Sequence, residues 1–262
     1  MSDADATKRL IEATSNARFN VETFTSIDST SNELKRRAEA GTSIDRTVVV
    51  AHTQSAGRGR MGRTWIDQPG GSLLFSIGWH AAVPAAKLSG LSLAIGVGAV
   101  DALEIEGVAG LQLKWPNDVM LRHRKLGGIL IETVNARGGA LDVIVGVGIN
   151  LSLSALTREH VDGGVIALGD TGWQGDAQRL LETMLSSLSD VLDRFPHDGF
   201  APWRERWIQR HAHQGRTVTI WRSGQEIAAG RAIDVDVDGA LLLQTTAGLR
   251  RFTSGESTLR TS

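Results

Sequence analysis

Cysteine is absent from the 262 residues, which excludes disulfides, thiolate nucleophiles and zinc or iron–sulfur centres held by cysteine. An excess of one charge sign is also missing: 28 Lys and Arg oppose 29 Asp and Glu, for a formal net charge of −1. No global basic field is therefore available to hold nucleic acid or an anionic membrane, although a local basic patch remains open. Long hydrophobic runs are lacking too. The longest weakly polar stretch, 88–103, is rich in Gly, Ala and Ser and reads as shorter than a membrane span. The N-terminal MSDADATKRLIEA carries acids at once and no apolar h-region, so it does not read as a signal peptide. The expectation is a cytoplasmic protein with no membrane partner. Proline is scarce at 5 whereas glycine reaches 30, so the glycines mark turns and close approaches rather than low-complexity linker.

What is present suits an ordinary globular chain. Hydrophobic residues make up 41% and charged residues 22%, and the length fits one large domain or a main domain with a small appendage. Patterning predicts a short helix over 5–18, a strand over 21–25, and a helix over 31–40 opened by Asp28-Ser29-Thr30 and stopped by Gly41. Strands follow at 47–53 and 72–80, the second with Leu73, Phe75, Ile77 and Trp79 alternating on one face. A packed helix is expected within 85–105, strands at 111–114, 119–121, 128–134 and 141–149, and a strongly amphipathic helix over 176–195. A further helix runs through Trp203 and Trp207, which read as packing between two domains. After Gly215, short β-like runs are divided by Ser223-Gly224, Asp238-Gly239 and Ala247-Gly248, which predicts a small all-β module.

Four segments carry candidate chemistry. The first runs from Gln54 to Trp65 and contains the spacing G-x-G-x-x-G between Gly57 and Gly62. A dinucleotide fold needs a helix directly after that spacing and an acid about 20 residues on. Here the chain meets Pro69-Gly70-Gly71 and a strand, so that reading fails. A solvated basic loop and an Arg-Gly nucleic-acid segment are the alternatives. Three arginines among glycines, followed by an aromatic, better suit a mobile loop that folds over an anionic ligand. The second segment is Lys114-Trp115-Pro116-Asn117-Asp118 with Lys125-Leu126-Gly127-Gly128 close behind. Asp118 can hold Mg²⁺ through water, and Lys125 can neutralise a reacting phosphate. The third, Gly146 to Asn150, and the fourth, Asp28-Ser29-Thr30, read alone as a strand end and a helix cap.

In their order and spacing the four segments resemble the biotin–protein ligases over roughly residues 20–262. The resemblance implies an α+β fold: a mixed β-sheet with helices on one face over 1–213, the biotin/lipoate ligase-like catalytic domain, then a small C-terminal SH3-like β-barrel over 214–262. It implies an enzyme that makes biotinyl-5′-AMP from biotin and ATP with Mg²⁺. That enzyme then passes biotin to a lysine of a biotin carboxyl carrier domain of the acetyl-CoA carboxylase type. Lys125 and Arg60 become the catalytic candidates. Ser29, Thr30 and Gln54 match positions at the ureido ring and Trp65 suits the apolar side of the bicycle; Gly57, Arg58, Gly59, Arg60, Lys125 and Gly128 complete the biotin set. Arg60, Arg63, Asn117, Asp118, Lys125, Asn150 and Val165 form the ATP and Mg²⁺ set, with Asp118 the metal candidate.

Two departures from the family pattern stand out. Ser31 occupies a position where the family often has Asn, with Asn32 one place later. Val165 is a smaller apolar cover where some members set an aromatic over the adenine. About 20 residues precede the first family strand, so the winged DNA-binding unit of some members, and specific DNA binding, are not expected; a homodimer is allowed. The alternatives are a lipoate–protein ligase, disfavoured by the polar set at Ser29, Thr30 and Gln54, and a non-catalytic nucleic-acid-binding protein, disfavoured by the charge balance. His211-Ala212-His213 has no further ligand spacing around it, and the absence of Gly-x-Ser-x-Gly disfavours a serine hydrolase.

Overall fold

A computed structural model describes residues 18–135, 141–159, 164–254 and 257–261. The helix expected over 5–18 falls outside them except for its last residue. The first strand, β1 (Asn20–Phe24), pairs in parallel with β2 (Thr47–Ala51), and α1 (Thr30–Glu39) forms the crossover. Then come β3 (Ser72–Ala81), α2 (Leu91–Ile105), β4 (Leu111–Lys114), β5 (Asp118–Leu121), β6 (Arg124–Asn135) and β7 (Leu141–Asn150). They complete a seven-stranded sheet of order β1-β2-β3-β7-β6-β5-β4, antiparallel at every pairing after the first. The mixed sheet is the expected one. A short α3 (Ala155–Glu159) leads to α4 (Ala177–Asp198) and α5 (Ala201–Gln209).

Period-two alternation divides the sheet into two faces. Leu73, Phe75, Ile77 and Trp79 of β3 share the main core with Val143, Val145 and Val147 of β7 and with α2 and α4. The stripe Leu181, Met184, Leu188, Leu192 and Phe195 of α4 is buried there, each side chain contributing about 1.5–3 kcal/mol. Asp176 starts that helix by accepting the N–H groups of Gln178 and Arg179 at 2.9 and 3.1 Å. The resemblance implied helices on one face only. Here α1 covers the opposite face, its Leu34 packing with Ile44, Val49 and Ile144. As a result β3 is buried on both faces rather than one, and Leu74 and Ser76 are as hidden as Phe75.

The segment Ala85–Ile105 is apolar and long enough to cross a membrane by length and composition, with a mean hydropathy of 1.6, longer than the stretch 88–103 expected from the sequence. Its helical part from Leu91 to Leu103 is spent inside the core. Leu113 and Val191 come within 3.1 and 3.0 Å of where side chains on Gly96 and Gly98 would begin, so these two glycines permit the close packing of α2.

Before the second sheet, the chain adds itself to the edge of the first. Leu113 N–H donates to the Arg210 carbonyl at 2.7 Å, and Ala212 N–H returns to the Leu113 carbonyl at 2.9 Å. Strands β8 (Thr217–Arg222), β9 (Gln225–Val235), β10 (Leu241–Thr245), β11 (Gly248–Phe252) and β12 (Ser257–Thr261) then form an antiparallel sheet of order β11-β10-β9-β8-β12. The edge strands β11 and β12 do not pair with each other among the described residues, so the small barrel is open. Trp115 Nε1 donates across the seam to the Gly239 carbonyl at 3.1 Å, and Arg204 Nε to the Val235 carbonyl at 2.7 Å. Trp203 packs on Phe195 of α4 with ring centroids 6.0 Å apart, and Trp207 on His211 at 4.6 Å.

Candidate active site

Between α1, the loop after β2 and the sheet lies a cavity of about 700 Å³. Glycines make the room. Gly128 and Gly148 are partners across β6 and β7, and the Trp65 ring lies over them, 3.4 and 2.8 Å from where their side chains would begin. An alanine at 148 would collide with the indole. The Trp65 Nε1 is buried without an acceptor, a group that a ligand atom could satisfy.

One wall is neutral and polar. Ser29 caps α1, its hydroxyl accepting the Asn32 N–H at 3.4 Å. Gln54 Oε1 accepts the Thr30 N–H at 2.7 Å and the Thr30 hydroxyl at 3.1 Å. The hydroxyls of Thr30 and Ser31 both reach Ser76, at 2.7 and 3.0 Å. Ser76 was missed in the sequence; the available signal was one hydroxyl inside the apolar strand LLFSIGW, across from Gly146. Asp28 supports this wall from outside, gripping Arg36 at 2.8 and 3.0 Å and Asn32 at 3.0 Å.

The other wall is cationic. Gly57 cannot carry a side chain, because one would meet the Trp65 carbonyl oxygen at 2.7 Å. Gly59 N–H donates to the Arg63 carbonyl at 2.7 Å and Trp65 N–H to the Gly57 carbonyl at 2.9 Å, which closes the loop on itself. Arg60 reaches Asn117 Oδ1 at 3.4 Å and also the Ser254 carbonyl of the second sheet. Burial makes its charge costly; Asp118 offsets part of that and Arg63 adds to it. A guanidinium keeps its proton regardless, so an incoming anion would relieve the cost. Lys125 Nζ sits 2.7 Å from Asp118 Oδ1 and 5.7 Å from the Trp65 ring centroid. Arg58 instead turns to structure: it donates to Asn32 Oδ1 at 2.7 Å and pairs with Glu132 at 2.8 Å. Sequence reasoning missed both partners, although an acid in the apolar run GGILIE was a visible signal.

Of the expected site residues, Ser29, Thr30, Gln54, Arg58, Gly59, Arg60, Arg63, Trp65, Asn117, Asp118, Lys125 and Gly128 all line the cavity, whereas Gly57, Asn150 and Val165 do not. Asn150 donates to the Ile166 carbonyl at 3.1 Å and the Lys125 carbonyl at 3.4 Å, and Val165 bridges Lys125 through the backbone. Both therefore brace the strand end that carries Lys125. Asn117 is braced similarly, its amide donating to the Ile129 carbonyl at 2.7 Å. Ser31, the departure from the family pattern, is joined to Ser76, while Asn32 serves Arg58. No cluster of three or more His, Asp or Glu is close enough to hold a metal by itself among the described residues. A lone carboxylate such as Asp118 still suits Mg²⁺, which takes its other ligands from water and phosphates.

Residues 23–150 match the biotin/lipoate A/B protein ligase family, and residues 213–259 match the biotin protein ligase C terminal domain. The chain is 34% identical to the bifunctional ligase/repressor BirA of Escherichia coli over 236 residues, covering 90% of this chain and 73% of that one. It is 33% identical to the biotin--[acetyl-CoA-carboxylase] ligase of Mycobacterium tuberculosis, covering 82% and 79%. The fold is similar to that of the biotin protein ligase from Aquifex aeolicus in complex with biotin and ATP, with a TM-score of 0.78, 29% identity, and coverage of 93% and 99%.

Proposed function

Because the chain belongs to the biotin protein ligase family, we propose that the glycine-floored cavity is where biotin and ATP meet. The enzyme is an ATP-dependent ligase that activates biotin to biotinyl-5′-AMP and transfers it to a lysine of a biotin carboxyl carrier substrate of the acetyl-CoA carboxylase type. In the first step a biotin carboxylate oxygen attacks the α-phosphorus and pyrophosphate leaves. In the second the carrier lysine amine attacks the acyl carbon and AMP leaves.

The first step brings two anions together, so its barrier falls when cations stand in place beforehand. Lys125 is read as the group between carboxylate and α-phosphate, with Arg60 and Arg63 on the phosphates and Arg58 anchoring the loop over them. Ser29, Thr30 and Gln54 are read as the partners of the ureido ring, and Trp65 with Gly59 and Gly128 as the walls around the bicycle, Gly57 acting from behind by giving the Trp65 backbone room. Asn117 and Asp118 take the nucleotide side. Mg²⁺, when bound, neutralises phosphate charge and would be held by Asp118. Asn150 and Val165 act through Lys125, which they brace. The intermediate hydrolyses in water, which favours a loop held shut over it.

One observation carries this reading. A neutral hydroxyl–amide set and the cations Arg60, Arg63 and Lys125 line one cavity, as a ligand with a polar uncharged head and an anionic tail requires. Lipoate, whose dithiolane ring wants an apolar pocket, fits that set poorly. The decisive experiment is ATP–pyrophosphate exchange with biotin and lipoate side by side. Exchange with biotin is expected; exchange with lipoate alone would overturn the reading. The domain boundary is set at 213/214, just before β8. A net charge of −1 supports a protein without affinity for DNA or anionic membrane, working in the cytoplasm.

A further inference from the structure

Ser76 is fully buried, on a strand whose neighbours are apolar, and it does not line the cavity. A buried hydroxyl left unbonded there would be costly, and a small apolar residue would avoid that cost. Its task follows from following the protons. The atom of Gln54 that meets the Thr30 backbone N–H at 2.7 Å must be the oxygen, since a peptide N–H can only donate. The Thr30 hydroxyl approaches the same oxygen at 3.1 Å, so it too must donate. That uses the one hydroxyl proton of Thr30. In the 2.7 Å contact with Thr30, Ser76 is then the donor. In the 3.0 Å contact between Ser31 and Ser76, Ser31 is the donor. The chain runs one way: Ser31 to Ser76 to Thr30 to Gln54.

We propose that Ser76 is a positioning residue that fixes the polarity of this relay, and thereby the recognition of a ligand head that presents N–H donors. The proposal rests on the functional reading above. With the relay running in this direction, Thr30 and Ser31 have no proton left to donate and turn only lone pairs to the cavity. The donors that remain on this wall are the Gln54 amide N–H groups and the Ser29 hydroxyl, whose oxygen already accepts from Asn32. A cyclic urea matches such a wall, its two N–H groups meeting acceptors and its carbonyl meeting a donor. A hydroxyl free to rotate would instead accept a wrong head as readily as the right one. Gly146 protects the arrangement, because a side chain there would begin 2.9 Å from Ser31 Oγ. Removing the Ser76 hydroxyl leaves Ser31 without its acceptor, so that Ser31 can swing its proton into the cavity against an incoming N–H.

The test measures biotin and dethiobiotin binding without ATP, and steady-state KM for ATP, in the wild type, Ser76→Ala and Ser76→Cys. Dethiobiotin keeps the urea and lacks the sulfur. Ser76→Ala should weaken both ligands by the same factor, roughly tenfold for one buried hydrogen bond with its misplaced proton. KM for ATP should stay as in the wild type. Ser76→Cys, which keeps a weak donor in the same place, should recover part of the loss. Unchanged biotin affinity in Ser76→Ala overturns the proposal, and so does an equal loss towards ATP, which is what general loosening would give. A wild type that binds no biotin overturns the functional reading, and this inference with it.

Discussion

The wall that begins at Ser29 and the wall that runs from Gly57 to Trp65 border one cavity but are held by different forces. The first is a chain of neutral hydrogen bonds from Ser31 and Thr30 at the start of α1 through Ser76 of β3, all three buried, to the half-buried Gln54. Such bonds gain strength from exclusion of water and ignore salt. The second is a loop whose arginines hold on to other elements: Arg58 to Asn32 and Glu132, Arg60 to Asn117 and to the second sheet. A partly exposed ion pair such as Arg58–Glu132 is worth little, about 0–1 kcal/mol. The difference teaches a division of labour. The neutral wall is held by hydrogen bonds shut away from water, whereas Arg60 and Arg63 ride on a loop and Lys125 stands on the sheet.

The largest effect is expected from the cation mounted on the sheet. Lys125 stands on β6, braced by Asn150 and the bridge to Val165, so its charge is pre-placed rather than carried by the loop. Lys125→Ala should slow biotin adenylation by about a hundredfold, the usual cost of one preorganised charge at a transition state, with a much smaller effect on biotin affinity. Single-turnover adenylation beside equilibrium binding decides it; equal losses would make Lys125 a ground-state contact.

Arg60 belongs to the loop wall rather than to the sheet, so its removal should act on retention more than on chemistry. Arg60→Gly should leave adenylation measurable and let biotinyl-5′-AMP escape roughly tenfold or more faster, from the loss of about 1.5–3 kcal/mol in one charged hydrogen bond. Biotin appearing on an unrelated lysine-rich protein measures the escape. A variant that adenylates and labels no more bystander than the wild type does would show that Arg60 is not the latch.

The two walls were unequally legible in the sequence. The loop announced itself, because arginines among glycines before a tryptophan have few structural uses, and its residues do gather at the cavity. The neutral wall was only half visible. Ser29, Thr30 and Gln54 could be picked out by resemblance, but Ser76 sits on the face of β3 that was assumed to point away from the core. That error came from expecting one buried face; α1 buries the other. Glu132 hid for a similar reason, being 74 residues from Arg58 in sequence and next to it in space. Residues 111–114 could be read as a strand, but their role as the edge that receives residues 210–212 could not, since period-two patterns say nothing about partners.

Acid offers a way to pull the two walls apart. His211 and His213 lie where the chain, after α5, runs along the β4 edge on its way to the second sheet, and burial pushes both down to about 4 from an ordinary 6.5. They are neutral in the fold, while the unfolded chain takes up protons below pH 6.5. Stability from this seam is therefore full above pH 6.5 and is lost as pH falls towards 4, by up to roughly 1.4 kcal/mol per pH unit for each proton. The seam carries the sheet that holds Ser254, a partner of Arg60. Melting temperature should fall more steeply between pH 6.5 and 4.5 in the wild type than in His213→Gln. At pH 5, retention of the adenylate should suffer before biotin binding does. Parallel melting curves for the two proteins would show that His213 is not held neutral.

The smallest effect expected is at Glu132, the anchor of the loop on the sheet. One of its carboxylate oxygens pairs with Arg58 at 2.8 Å; the other is buried without a partner. A buried acceptor left unsatisfied is a cost that the attraction to Arg58 must offset. Arg58 is more exposed than Glu132, at 38% against 17% of the side chain, so solvent screens the pair and its net value is modest. Glu132→Gln keeps the shape, removes the charge and turns one end of the group into a donor facing a guanidinium. The loop should then open more often, by a few-fold, since about 0.5–1 kcal/mol corresponds to a factor of two to five. Trypsin reads this directly, because the loop offers cleavage sites after Arg58, Arg60 and Arg63. Cleavage there should quicken two- to fivefold in the free enzyme, and biotin with ATP should abolish most of the difference by holding the loop through other contacts. Biotin affinity should hardly change, because the neutral wall is untouched. Unaltered cleavage in the variant would mean that the loop stays closed through its own backbone bonds and that Arg58 anchors nothing.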